Sequence, residues 1–78
     1  HQQIKELRRK IGEFVRKEEH LKSYHAVYMD EKDKKIYCDF IVDYELEDWE
    51  TLRQKFTRYI MEIYPEYEVE LVIETEFI

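Results

Sequence analysis

One cysteine, one proline and one glycine are all that 78 residues contain of the three types that most constrain a chain. The lone Cys38 excludes an internal disulfide framework and a cysteine-rich zinc site, and it fits a reducing compartment. With Gly12 as the only glycine, no glycine-rich phosphate loop can exist. No uncharged apolar run approaches the ~20 residues of a membrane span, and the opening His1-Gln2-Gln3 carries no apolar leader. The absence of an initial methionine gives the expectation of a piece excised from a longer protein, with His1 either native or left by a tag. Disorder is excluded as well, because 44% of the residues are apolar and no segment is of low complexity. A single domain over residues 1–78 is expected. So short a chain sits near the limit at which one core suffices, so a partner surface is expected too.

Charge is abundant, at 41% of residues, and unevenly placed. Residues 1–35 hold ten Lys/Arg against seven Asp/Glu, a balance of +3, whereas residues 36–78 hold three against twelve, a balance of −9. An acidic half repels phosphate backbones, which argues against nucleic acid and for cations or basic partners. The plain alternative for any one of these carboxylates is solubility.

Periodicity divides the chain into five elements. Ile4, Leu7, Ile11, Phe14 and Val15 recur at helical spacing, and the run Lys17-Glu18-Glu19-His20 ends that helix. From Ser23 to Met29 the period becomes two, with Tyr24, Ala26 and Tyr28 on one face and His25, Val27 and Met29 on the other. The charged stretch Asp30–Lys34 has the length of a hairpin loop. Ile36, Cys38, Phe40, Val42 and Tyr44 then alternate with Tyr37, Asp39, Ile41 and Asp43. A second helix is expected from the N-cap Asp48 to Pro65, with the stripe Trp49, Leu52, Phe56, Tyr59, Ile60 and Ile63. Tyr67, Val69, Leu71, Ile73, Thr75 and Phe77 face the core from a last strand whose other side carries Glu68, Glu70, Val72, Glu74 and Glu76.

The order αββαβ predicts an α+β fold of ferredoxin-like or metallochaperone-like type. A hairpin joins strands one and two, and a helical crossover makes strands two and three parallel. Both helices then cover one face of a three-stranded mixed sheet. The other face is left with Asp39, Asp43, Glu70, Glu74 and Glu76, whose mutual repulsion calls for a cation or a partner's Lys/Arg. From the second helix, Leu52, Phe56, Ile60 and Ile63 are expected to pack on Phe40, Val42, Leu71 and Ile73.

No serine, histidine and acid stand at catalytic spacing, and an open sheet face offers no pocket to split carboxylate pKa values. The expectation is that the protein is not an enzyme. Cys38 reads as a small core residue and His20 as a charge at the end of the first helix. His25 is the imidazole of interest, because Glu74 and Glu76, two residues apart, share a face. One histidine with two carboxylates is a possible ligand set for zinc, manganese or a similar divalent metal, with Asp39 a fourth ligand across the sheet.

These segments resemble the cytoplasmic C-terminal domain of cation diffusion facilitator transporters, the membrane proteins that export divalent metals. The resemblance covers nearly the whole chain through loose motifs. Leu21-Lys22-Ser23-Tyr24-His25 looks like the family segment that ends in a histidine at the first strand. Cys38-Asp39-Phe40-Ile41-Val42-Asp43-Tyr44-Glu45 looks like its second strand, and helix two resembles the long helix ending in Tyr64-Pro65. Val69-Glu70-Leu71-Val72-Ile73-Glu74-Thr75-Glu76-Phe77 is similar to the terminal strand. In the family a histidine on that strand and an acid two residues later often bind metal. Here Glu74 replaces the histidine, and Ile41 and Arg53 stand where two further family histidines fall.

The resemblance implies a regulatory and dimerisation domain on the cytoplasmic side of the cell membrane. Its partners would be a second copy and the transmembrane part of the same protein, and this stretch would not itself enter the bilayer. Lys5, Arg8, Arg9 and Lys10 suit a position just past a final span. The competing expectation is a free-standing αβ ligand- or metal-binding module.

Overall fold

The computed structural model describes residues 2–76, and its element order is αββαβ. Helix α1 spans Gln2–Arg16, strands β1 and β2 span Leu21–Asp30 and Lys35–Val42, helix α2 spans Trp49–Ile63, and strand β3 spans Glu68–Thr75. The sheet order is β1-β2-β3, with β1 antiparallel and β3 parallel to β2. The expected α+β fold is therefore the observed one. His1 and Phe77, named in the sequence reading, lie outside the described residues. Among the described residues no helix is long and apolar enough to cross a membrane.

Each helix buries the stripe its spacing dictates. Leu7, Ile11 and Phe14 from α1 and Leu52, Phe56 and Ile60 from α2 meet Ile36, Cys38, Phe40 and Val42 of β2 and Leu71 and Ile73 of β3. Four aromatic rings tie the layers. Phe14 lies 6.1 Å from Phe40, 5.1 Å from Phe56 and 5.2 Å from Tyr59, measured between ring centroids. The Tyr59 hydroxyl donates to the Lys10 carbonyl at 2.8 Å, which pins α2 to α1. Asp48 caps α2 as expected, accepting from the Thr51 backbone N–H at 2.9 Å and the Thr51 hydroxyl at 2.6 Å. Ile63 is the exception in the expected core. It sits in the last turn of α2 and is only half-buried.

β1 departs from strict alternation. The pairing register shifts between His25 and Tyr28, and Ala26 takes φ 56° in the left-handed region. The resulting bulge reverses which side chains face inward. Before it Tyr24 packs against the core, and after it Met29 is buried while Tyr28 is exposed. The expected face of Tyr24, Ala26 and Tyr28 is thus divided between both sides of the sheet.

Two further positions correct the sequence reading. Helix α1 stops at Arg16, so His20 lies in the turn before β1 and not on the helix end. Strand β2 stops at Val42, so Asp43 and Tyr44 leave the sheet, and Tyr44 is exposed.

Candidate functional site

The uncovered face of the sheet is built from the outward residues of all three strands. Tyr28 pairs with Tyr37 across β1 and β2, with ring centroids 6.0 Å apart, and Tyr37 stands in register with Glu70 of β3. Tyr28 is 59% exposed, Tyr37 36% and Val72 50%, so an apolar strip crosses the face among carboxylates. Lys35 reaches Glu70 at 3.9 Å, a contact at the limit of an ion pair. Exposed pairs of this kind add little to stability, so this one leaves the acidity of the face largely in place.

The residues expected to hold metal fall on this same face. His25 and Asp39 are direct cross-strand partners, and His25 Nε2 is 3.0 Å from the Ser23 hydroxyl two residues away. Glu74 stands in register with Ile41, and Asp39 with Val72, which makes Glu74 a diagonal neighbour of Asp39. His25 and Glu74 are on β1 and β3, separated by the full width of β2, roughly 10 Å between backbones. Glu76 follows β3, its backbone N–H bonded to the Val42 carbonyl at 2.9 Å. The fold thus pairs His25 with Asp39 and sets Glu74 on the far strand, with Glu76 just past its end.

A different trio converges. Among the described residues, His20, Asp43 and Glu45 are the one group of three or more His, Cys, Asp or Glu side chains with ligand atoms all within 4.8 Å of one another. They stand where the α1–β1 turn meets the chain leaving β2. The Asp43 N–H donates to the His20 carbonyl at 3.0 Å and fixes the two segments side by side. His20 Nδ1 then lies 3.1 Å from Asp43 Oδ1 and 3.2 Å from Oδ2. The Glu45 N–H donates to Asp43 Oδ1 at 3.0 Å, which orients the carboxylate and holds Glu45 beside it.

Electrostatics follow the geometry. The Asp43 hydrogen bond, with the charges of Asp43, Glu19 and Glu45, raises the His20 pKa above its ordinary value against the opposing effect of burial. Burial pushes the Asp43 carboxyl up, but the His20 hydrogen bond, the Glu45 N–H and the charges of His20 and Lys22 together hold it below the usual range. Cys38 is different in kind. It is fully buried among apolar neighbours, and desolvation drives its thiol up to about 12, which makes it a packing residue.

The trio is not visible in the periodicity, which puts His20 on a helix end and Asp43 on the sheet face, whereas α1 stops at Arg16 and β2 at Val42. One signal was available, the antiparallel hairpin. Asp30 pairs with Lys35, and counting straight back along both strands sets His20 opposite Glu45. The two register shifts of β1 move the partner to Asp43. Either count brings His20 to this acidic turn.

Comparison with family models, with curated proteins and with solved structures returns no match to this chain.

Proposed function

We propose that this chain is the cytoplasmic regulatory and dimerisation domain of a divalent-cation efflux transporter of the cation diffusion facilitator type. The observation that carries the reading is the one-sided sheet of the αββαβ fold. Two helices cover one face, and the other exposes Tyr28, Tyr37 and Val72 among carboxylates. An exposed apolar strip rimmed by polar groups is what a protein contact surface looks like. Dimerisation uses this face because both sheet edges are obstructed. The β1 edge is interrupted by the bulge at Ala26. On β3, Glu68 and Glu76 direct their N–H groups to β2, so the backbone N–H and C=O of Leu71 point to the free edge, and that carbonyl already accepts from the Arg53 guanidinium.

The exposed Lys5 and Arg8 of α1 suit a position next to the cytoplasmic membrane surface, whereas Arg9 is occupied by Glu6 and Glu13, each at 2.6 Å. The reading frame that encodes the chain, and the transport activity of its product, test the proposal. Several apolar spans upstream of residue 1 are expected, with loss of manganese or zinc tolerance in cells when residues 1–78 are deleted. A frame without such spans would overturn the reading in favour of the free-standing module.

A further inference from the structure

We propose that His20, Asp43 and Glu45 form a divalent-cation site that ties the α1–β1 turn to the turn after β2. The site rests on the positions of its own donor atoms and stands whether or not the chain belongs to a transporter. It is also separate from the set His25, Asp39, Glu74 and Glu76 on the open face.

Spacing is the first argument. Nitrogen and oxygen ligands sit about 2.1 Å from a bound zinc ion. Two of them at a right angle are then about 3.0 Å apart, and at the tetrahedral angle about 3.4 Å. The observed separations of 3.1 and 3.2 Å between His20 Nδ1 and the Asp43 oxygens fall inside that interval. They are also the separations of the hydrogen bond that the pair makes, so an ion would take the place of the shared proton. Glu45 completes a set whose atoms lie within 4.8 Å, close to the ~4.2 Å span of two opposite ligands on one ion.

Preorganisation is the second argument. The backbone bond between Asp43 and His20 sets the distance between the two segments, and the Glu45 N–H fixes the Asp43 carboxylate. Among the described residues neither Asp43 nor Glu45 forms an ion pair with a lysine or arginine, so the proton that His20 shares with Asp43 is what the metal has to displace. Charge balance is the third. On binding, the Nδ1 proton leaves to solvent and the metal takes its lone pair. A neutral imidazole with two carboxylates then gives two negative charges against the ion's two positive ones. One nitrogen with carboxylate oxygens suits zinc or manganese over a thiophilic metal.

The test is calorimetry on the 78-residue chain, stripped with chelator and titrated with Zn²⁺ and with Mn²⁺. The parent and the variants Glu45→Gln, His20→Gln and Glu74→Gln/Glu76→Gln are compared, each with its circular dichroism spectrum. One ion per chain is expected. Glu45 is exposed, so Glu45→Gln should keep the fold yet weaken binding at least about tenfold, since even an outer-sphere partner of a metal ligand is worth about 10–100-fold. Stronger broadening by Mn²⁺ of the His20 ring signals than of the His25 ring signals locates the ion independently of any variant. No binding by the parent at millimolar metal would overturn the site. So would affinity within twofold of the parent for Glu45→Gln, or loss confined to Glu74→Gln/Glu76→Gln. None of these outcomes depends on upstream membrane spans, so the site and the transporter reading fail separately.

Discussion

Phe40 of β2 and Phe56 of α2 meet edge to face with ring centroids 4.7 Å apart, and both side chains are fully buried. Phe14 closes the triangle from α1. This is the point at which both helices and the central strand share one contact, so the largest single loss of packing is expected here. Phe56→Ala should cost about 3–5 kcal/mol, enough to unfold most of a domain this small at 37 °C. Urea or thermal melts followed by circular dichroism check it. A variant that melts within a few degrees of the parent would show that the three rings do not form the keystone of the core.

Asp48 gives a pH dependence. The Thr51 hydroxyl and backbone N–H, with the Glu50 backbone N–H, hold its carboxyl below the usual carboxylate range. A folded-state pKa below the unfolded value of about 3.9 contributes stability that is fully present above that pH. The contribution is lost as pH falls through the lower, folded value. Asp48→Asn keeps an oxygen acceptor for Thr51 without the charge, so it should be less stable than the parent at pH 7. The gap between their urea midpoints should be smaller in acid, below the ordinary carboxylate pKa of about 3.9, than at pH 7. An equal gap at both pH values would contradict the assignment.

Gly12 lies inside α1 where the Tyr24 hydroxyl crosses over it. A Cβ at that position would come to 3.3 Å from Tyr24 Oη and 3.5 Å from Arg16 Nη1. Glycine costs a helix interior about 1 kcal/mol relative to alanine, whereas a half-buried tyrosine tip can move by a few tenths of an ångström. The Tyr24 bond to the Arg8 carbonyl, at 3.4 Å, is already long and has little to lose. Gly12→Ala should therefore raise stability, by under about 1 kcal/mol. A lower melting temperature would mean that Tyr24 is held more firmly than its exposure suggests.

How much of this was legible in the sequence depends on which interactions are local. Ile36, Cys38, Phe40 and Val42 alternate because one face of β2 is buried, and that pattern places the strand and its orientation without further information. The α1 and α2 stripes are legible for the same reason. Ala26 is not. Its left-handed backbone carries no glycine or asparagine to announce it, so the bulge that turns Tyr28 outward and Met29 inward leaves no local mark. His20 and Asp43 are 23 residues apart and meet only because two register shifts in β1 align them. The metal set read from spacing was built on Glu74 and Glu76 sharing a face, which the alternation of β3 supports. Spacing within a strand says nothing of the strand between, and β2 stands between His25 and Glu74.

The open face of the sheet is proposed to join two copies, and sedimentation equilibrium of the chain at high micromolar concentration tests this most directly. Repulsion among Asp39, Glu70 and Glu74 of the two copies, which reaches about 8 Å at 0.15 M salt, opposes the contact made by Tyr28, Tyr37 and Val72, so the dimer should tighten as salt is raised. A dimer of the 9.9 kDa chain is expected, and a monomer for Val72→Glu, whose exposed position allows the charge without loss of fold and which adds a further carboxylate beside Asp39, Glu70 and Glu74. A parent that sediments as a monomer, or a Val72→Glu variant that remains dimeric, would contradict it.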